Sequence, residues 1–324
     1  MITPVPPGTP YHQLARPTSR RRTLLAVLGV LLSTVTVPMS VTAAMRWLPT
    51  DGLPLLGPAR VELLVSVAAI GCILPAVLVI ARFVQGRPLG TLSSVTGRIR
   101  WGWLALCVGV AAVTALCLLV VVPIAVAVLT RGPATDSGQQ TVAAPSLEDV
   151  ARYLVTLALL LCLGVWQVAA EEYTTRGFLL QAVTRLAGRS PWPGIIAQAI
   201  VFTALHRHLG WGTLAVAVMA GWLGWLTVRT GGIEAALAYH LVQNGFAALV
   251  AAAMPTGPDA NAAGAGLPGA LAMVGAVTAY ALLIRWLAPL CRLARTAPGG
   301  TAPGGPPPAP VTVAPLGTAG PGLG

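Results

Sequence analysis

The sequence predicts an all-α, polytopic membrane protein of about eight transmembrane helices, with both termini on the cytoplasmic side. Three observations predict it. Of 324 residues, 56% are hydrophobic and only 9% are charged, whereas a soluble globular domain carries roughly 25% charged residues. The apolar residues gather into runs long enough to cross a hydrocarbon core about 30 Å thick, which takes roughly 20 helical residues. The basic residues cluster at alternate ends of these runs.

Eight runs qualify, at about 23–44, 61–82, 103–129, 150–170, 193–208, 213–229, 233–254 and 266–290. The fifth and sixth are the shortest. All twenty Lys and Arg residues are Arg. Arg16, Arg20, Arg21 and Arg22 precede the first run; Arg82, Arg87, Arg98 and Arg100 follow the second. Arg176, Arg185 and Arg189 follow the fourth, Arg229 ends the sixth, and Arg292 and Arg295 follow the eighth. With eight crossings these groups share one side. The other side holds scattered Arg46, Arg60 and Arg131, and the acids Asp136, Glu148 and Asp149. The excess of Arg marks the cytoplasmic face.

The net charge of +11 is therefore read as membrane orientation. No basic patch has interleaved aromatics, so nucleic acid is not expected as a partner. The nine Trp lie mostly at the ends of runs, as in an interfacial aromatic belt. Five cysteines, Cys72, Cys107, Cys117, Cys162 and Cys291, form no CxxC pair, which argues against disulfides or a cysteine metal site. "SRRRTLLAVLG" (19–29) has the look of a twin-Arg signal, but the run is long and its cleavage signature is weak, so an uncleaved first helix is expected. Three segments follow: a disordered cytoplasmic tail at 1–18, a helical domain at 19–295, and a Pro/Gly/Ala-rich disordered tail at 296–324. The all-Arg, Ala-rich composition points to a bacterial host and its plasma membrane.

An acid or a base at the centre of a membrane helix costs about 2.5–3.5 kcal/mol on insertion scales, so those that persist invite a functional reading. Between 165 and 250 the chain holds Glu171, Glu172 and Arg176, then His206 and His208, then His240 and Asn244. Three of the four His lie here. Residues four apart share a helix face. Glu172 and Arg176 are so spaced, with the acid first, the favourable order for an ion pair. Glu171 is turned about 100° from Glu172 and is available to a cavity. His240 pairs in the same way with Asn244, and Phe202 with His206. Three helices thus each offer a polar face to one site.

That set suits hydrolysis. A carboxylate can take a proton from water. Two imidazoles and a carboxylate, Glu171, His206 and His240, can hold a divalent metal such as zinc and leave a position for water. An imidazole and an amide can instead stabilise an oxyanion. The residues do not choose between the metal and metal-free versions. Singly, each has a plainer reading: interfacial charges for Glu171 and Glu172, an interfacial His206, a core-satisfied His240, and helix–helix hydrogen bonding for Asn244. Glu234 and Arg229 flank a Gly-Gly turn and read as ordinary interface charges; His12 and His208 carry no assignment. The rival functions are a proton-coupled transporter, since intramembrane Glu and His also relay protons, and a non-catalytic membrane scaffold or immunity protein.

"EEYTTR", "FTALH" and "HLVQN", in this order on successive helices, fit E-E-x-x-x-R, F-x-x-x-H and H-x-x-x-N. They resemble the CPBP intramembrane proteases, which include the CAAX prenyl endopeptidases and the bacteriocin-processing or self-immunity (Abi) proteins. The resemblance covers roughly 150–250. It implies an endopeptidase acting on a membrane-embedded or lipidated substrate. Glu171 would activate water with His206; His240 and Asn244 would stabilise the oxyanion, or His240 would bind a metal; Glu172, Arg176 and Phe202 would support them. The family is classed as metallopeptidase, and a metal-free, glutamate-activated route has also been proposed for it. Counting spans alone, Glu171 falls near the cytoplasmic end of its run and His206 near the far end of a short one. Continuation of the fourth helix through "GFLLQAVTRL", or a tilted fifth helix, is needed to bring them level.

Overall fold

The computed structural model describes residues 5–15, 18–47, 55–117, 146–206, 210–253 and 266–298. Among these the chain is helical, with two isolated bridges and no strand. The helices are α1 (Arg20–Met45), α2 (Gly57–Gly71), α3 (Ile73–Val79), α4 (Trp101–Ala115), α5 (Leu147–Glu172), α6 (Leu180–Ala187), α7 (Trp192–Leu205), α8 (Trp211–Thr230), α9 (Glu234–Ala253) and α10 (Leu267–Leu290). A π-helical turn at Ile80–Val84 extends α3, and another at Tyr173–Leu179 joins α5 to α6. Every expected run meets a helical unit. Six units are long and apolar enough to cross a membrane; α4 and α7 are shorter apolar helices. The part of the third run beyond residue 117, with Asp136, lies outside the described residues, as does His208.

Local chemistry sets the ends. Ser146 and Asp149 form a reciprocal capping box at the start of α5, satisfying amide donors that lack intrahelical partners. Gly231, at φ 74°, takes the left-handed position that closes α8, where a Cβ would be strained. α9 lies at the centre, packed on α4 and α5, while α8 packs on α7 and α10. The main apolar core forms where these helices meet, around Val216, Leu223, Leu226, Tyr239 and Tyr280.

The fourth run does not end near Glu171. It continues through the π-turn to Ala187, forming one 41-residue rod. Glu171 therefore sits about 24 Å from the rod's C-terminal end, at 1.5 Å per residue. The continuation is driven by burial: Phe178, Leu179, Leu180 and Ala182 are all buried.

Two further expectations are corrected. The N-terminal segment is not a disordered tail over residues 5–15. Tyr11, Leu14 and Ala297 are buried against Val95 and Ile233. Gly8 N–H donates to Ala297 O at 2.9 Å, and Ala297 N–H donates to Thr9 O at 2.8 Å. The Tyr11 hydroxyl donates to Leu92 O at 2.6 Å. Three apolar side chains in "YHQLA" suffice to seat the segment despite its Pro and Gly. Residues 299–324 lie outside the described residues.

Glu234 is likewise no interface charge. It is fully buried and takes a bidentate grip from Arg100: Nε to Oε1 at 2.7 Å and Nη2 to Oε2 at 2.6 Å. Arg100 also donates to Thr230 O and Ala294 O. The pair staples the loop before α4 to the α8–α9 turn and to the chain after α10. Nearby, Arg87 is buried among neutral acceptors on Gln85, Thr91 and Gln181, tying the same loop to α6; burial pulls its guanidinium down to about 10.

Removing one partner of a buried ion pair strands the other, at roughly 3–5 kcal/mol. Glu234→Gln should therefore lower stability by about 3 kcal/mol in equilibrium unfolding in mixed micelles, and an unchanged midpoint would refute the staple. Deleting residues 1–15 should lower the same midpoint; a tail without contacts would leave it unmoved.

Candidate active site

The polar residues of α5, α7 and α9 converge. His240 is buried on α9 and reaches two acids of α5. Its Nδ1 lies 2.8 Å from Glu172 Oε1, and its Nε2 lies 3.3 Å from Glu171 Oε2. The same Glu172 oxygen accepts from Arg176 Nη1 at 2.9 Å. The guanidinium carbon of Arg176 stands 4.2 Å above the Phe202 ring of α7. Phe202 also packs on His206, with ring centres 4.3 Å apart, and its carbonyl bonds His206 Nδ1 at 2.8 Å. One ligand atom from each of Glu171, His206 and His240 lies within 4.8 Å of the other two.

The local backbone explains why both glutamates serve. Thr174 and Thr175 turn their hydroxyls back onto Ala170 O and Glu171 O, each at 2.6 Å. Such back-bonding competes with the amide ladder and bends helices. Here the helix widens into the π-turn that starts at Tyr173, a distortion common at functional sites. Thr175 also accepts from Arg176 Nη1 at 3.1 Å. At the other side of the turn, Tyr173 OH and Ser93 Oγ are 2.6 Å apart.

The partners fix the imidazole tautomers. A carbonyl only accepts, so His206 Nδ1 carries the proton it gives to Phe202 O, and in the neutral ring Nε2 holds the lone pair. Glu172, already accepting from Arg176, accepts from His240 Nδ1 by the same reasoning. The neutral His240 then turns the lone pair of Nε2 toward a carboxylate oxygen. Two acceptors 3.3 Å apart repel unless a cation stands between them, either a proton or a metal ion. Glu171 Oε2 is itself buried and has no hydrogen-bond partner among the described residues, so a cation placed between it and His240 Nε2 would satisfy both. Glu171 is only 16% exposed, and the low local dielectric strengthens these interactions.

Two imidazoles and a carboxylate are the donor types a divalent ion takes, and one pair of them has tetrahedral spacing. Ligands at zinc distances of about 2.0–2.1 Å stand about 3.3 Å apart, the separation between Glu171 Oε2 and His240 Nε2. Both imidazoles already hold an outer acceptor at Nδ1, as metal-bound histidines almost always do.

The expected residues are mostly united. Glu171, His206 and His240 form the cluster; Glu172, Arg176 and Phe202 brace it. Glu172 does more than pair with Arg176, since it also orients His240. Asn244 is not drawn in. It lies one turn beyond His240, makes no side-chain hydrogen bond among the described residues, and lines a separate cavity of about 260 Å³ between α4, α5 and α9. Thr174, Thr175 and Tyr173 escaped the sequence reading. The threonine pair four residues after Ala170 and Glu171 was the available signal, because that spacing permits back-bonding.

Residues 153–246 match the family model described as "Rce1-like: Type II CAAX prenyl endopeptidase Rce1-like", a region that contains every residue of the cluster. No curated protein and no solved structure matches the chain.

Arg176→Ala should destabilise the fold by about 3–5 kcal/mol, because the fully buried Glu172 loses its counter-charge. Glu171→Gln should leave the unfolding midpoint unchanged or raise it, since it removes an acceptor facing another acceptor. A large loss on Glu171→Gln would show that this carboxylate is structural.

Proposed function

We propose, with the Rce1-like domain as premise, that this protein is an intramembrane endopeptidase that hydrolyses a peptide bond of a membrane-embedded or lipidated substrate. The convergence of Glu171, His206 and His240 from three helices supports it above all. Water is the second substrate, and Glu171 and His206 are both partly exposed.

Glu171 acts as general base. Its partly exposed carboxylate takes a proton from water, and the resulting hydroxide attacks the scissile carbonyl. His206, with Nδ1 tied to Phe202 O, presents Nε2 to the same water and sets its direction. Glu171 then returns the proton to the leaving amine. His240 is held by Glu172, itself held by Arg176, so its Nε2 stays aimed at the reacting centre without reorganisation. Protonated, that nitrogen donates to the oxyanion.

If a divalent ion were bound, Glu171, His206 and His240 would hold it, and it would supply Lewis-acid polarisation of water and carbonyl. The roles of Glu172, Arg176 and Phe202 are the same in either version: they hold the imidazoles in the tautomers and directions described. The Abi-type roles, peptide maturation or protection against a bacteriocin, differ only in which chain is cut.

The test uses the protein reconstituted in vesicles with a fluorogenic prenylated CAAX peptide, alongside N-terminal profiling of membrane proteins from cells with and without the gene. General-base catalysis contributes about 10²–10⁴-fold, so Glu171→Gln and His206→Ala should each cut the cleavage rate by at least about 100-fold while the fold persists. Cleavage at the wild-type rate in Glu171→Gln would end the proposal. Chelation separates the two versions. Activity lost to a chelator and restored by zinc assigns the three side chains as ligands; activity that survives it assigns the metal-free route.

A further inference from the structure

A second concavity lies away from the cluster. A groove of about 900 Å³ runs between α7, α8 and α10. Its walls are almost wholly apolar, and it opens outward: Trp192, Ile196 and Ile200, each more than half exposed, form its rim. None of Glu171, His206 and His240 lines it. Arg285 is the one charged side chain in its lining. It is exposed and has no ion-pair partner among the described residues.

The groove has a direction. It follows α7 from Trp192 to Ala204, about 18 Å at 1.5 Å per residue. That is close to half of a hydrocarbon core about 30 Å thick, the reach of a single leaflet. Arg285 lies at the Arg-rich end of the bundle, near the end of α10 and just before Arg292 and Arg295. Arg229 is at the same end, its guanidinium carbon 5.3 Å from the ring centre of Trp225, which lines the groove. An apolar slot one leaflet long, with two cations at its interfacial end that form no ion pair among the described residues, is complementary to a chain that is apolar along its length and anionic at one end.

We infer that this groove is a binding site for one anionic phospholipid of the leaflet on the Arg-rich side, with an acyl chain along α7 and the phosphate on Arg285 and Arg229. Basic pockets between membrane helices recognise anionic head groups in this way. The lipid completes the outer surface of α7, the helix that carries Phe202 and leads directly into His206, and covers the cleft between it and α10. The inference stands apart from the hydrolytic reading and holds or fails without it.

The test reads bound lipid. The full chain is reconstituted in nanodiscs of equimolar phosphatidylglycerol and phosphatidylcholine, released into detergent and weighed intact by native mass spectrometry. Wild type should retain one phospholipid, enriched in phosphatidylglycerol. Arg285→Gln should retain lipid but lose about fivefold of that enrichment, the worth of one cation at a membrane surface. Gly221→Phe should abolish retention, since Gly221 lines the groove and nothing outside its own helix lies within 4 Å of its would-be Cβ. Unchanged enrichment in Arg285→Gln, or unchanged retention in Gly221→Phe, overturns the inference. So does a dimer that Gly221→Phe splits, which would make the occupant a second copy. Arg285 is on the surface, so its variant decides the matter even where the phenylalanine disturbs the helix pair.

Discussion

Arg176 is a guanidinium buried in the middle of an apolar helix bundle, and much of the site follows from keeping it there. Its charge needs a carboxylate, and Glu172, one turn earlier, supplies it. That carboxylate still has acceptor capacity, and His240 Nδ1 uses it. The flat face of the guanidinium lies on Phe202, a cation–π contact that gains strength away from water. Phe202 in turn gives its carbonyl to His206. A single buried cation thus fixes the orientation of two imidazoles on two other helices.

The arrangement leaves one group without compensation. Glu171 is adjacent to Glu172 in sequence but, among the described residues, has neither a guanidinium partner nor a hydrogen bond at Oε2. In a low-dielectric site, an unpaired acceptor facing an imidazole nitrogen costs stability, and the surrounding bracing must over-determine its position. Strain of this kind concentrates where chemistry is done. The π-turn belongs to the same economy: the Thr174 and Thr175 hydroxyls loosen the helix just where Glu172 and Arg176 need to turn inward together.

Outside the bundle's centre, the Arg-rich end is tied together by contacts distant in sequence. The loop before α4, the α8–α9 turn, the segment at residues 5–15 and the chain after α10 meet around Arg100–Glu234 and Tyr11. Tyr11 reaches the carbonyls of both Leu92 and Arg176, so the terminal segment touches the turn that bears the site. The groove on the other flank, between α7 and α10, borders the same helix that presents His206. The site is therefore braced from the Arg-rich end of the bundle.

The helical class and the positions of the eight apolar runs were legible in the sequence, because a membrane helix must satisfy its own backbone and keep an apolar surface, and both demands are local. The motif residues were legible as well: a charge or imidazole in an apolar run is costly enough to stand out alone. The i, i+4 spacing even gave the Glu172–Arg176 pair. What the sequence could not give was depth and partnership. Glu171 seemed to sit at a helix end because polar Tyr-Thr-Thr-Arg reads as an exit from the membrane; only packing against α1, α3 and α7 carries that segment onward. Residues 5–15 and Glu234 differ from expectation for the same reason, since composition suggests solvent while burial is decided by what arrives from elsewhere in the chain. The link between Glu172 and His240, 68 residues apart, and the exclusion of Asn244 from the cluster depend on how α9 rotates between α4 and α5. Rotation of a packed helix is set by the summed fit of many side chains, and no local pattern encodes it.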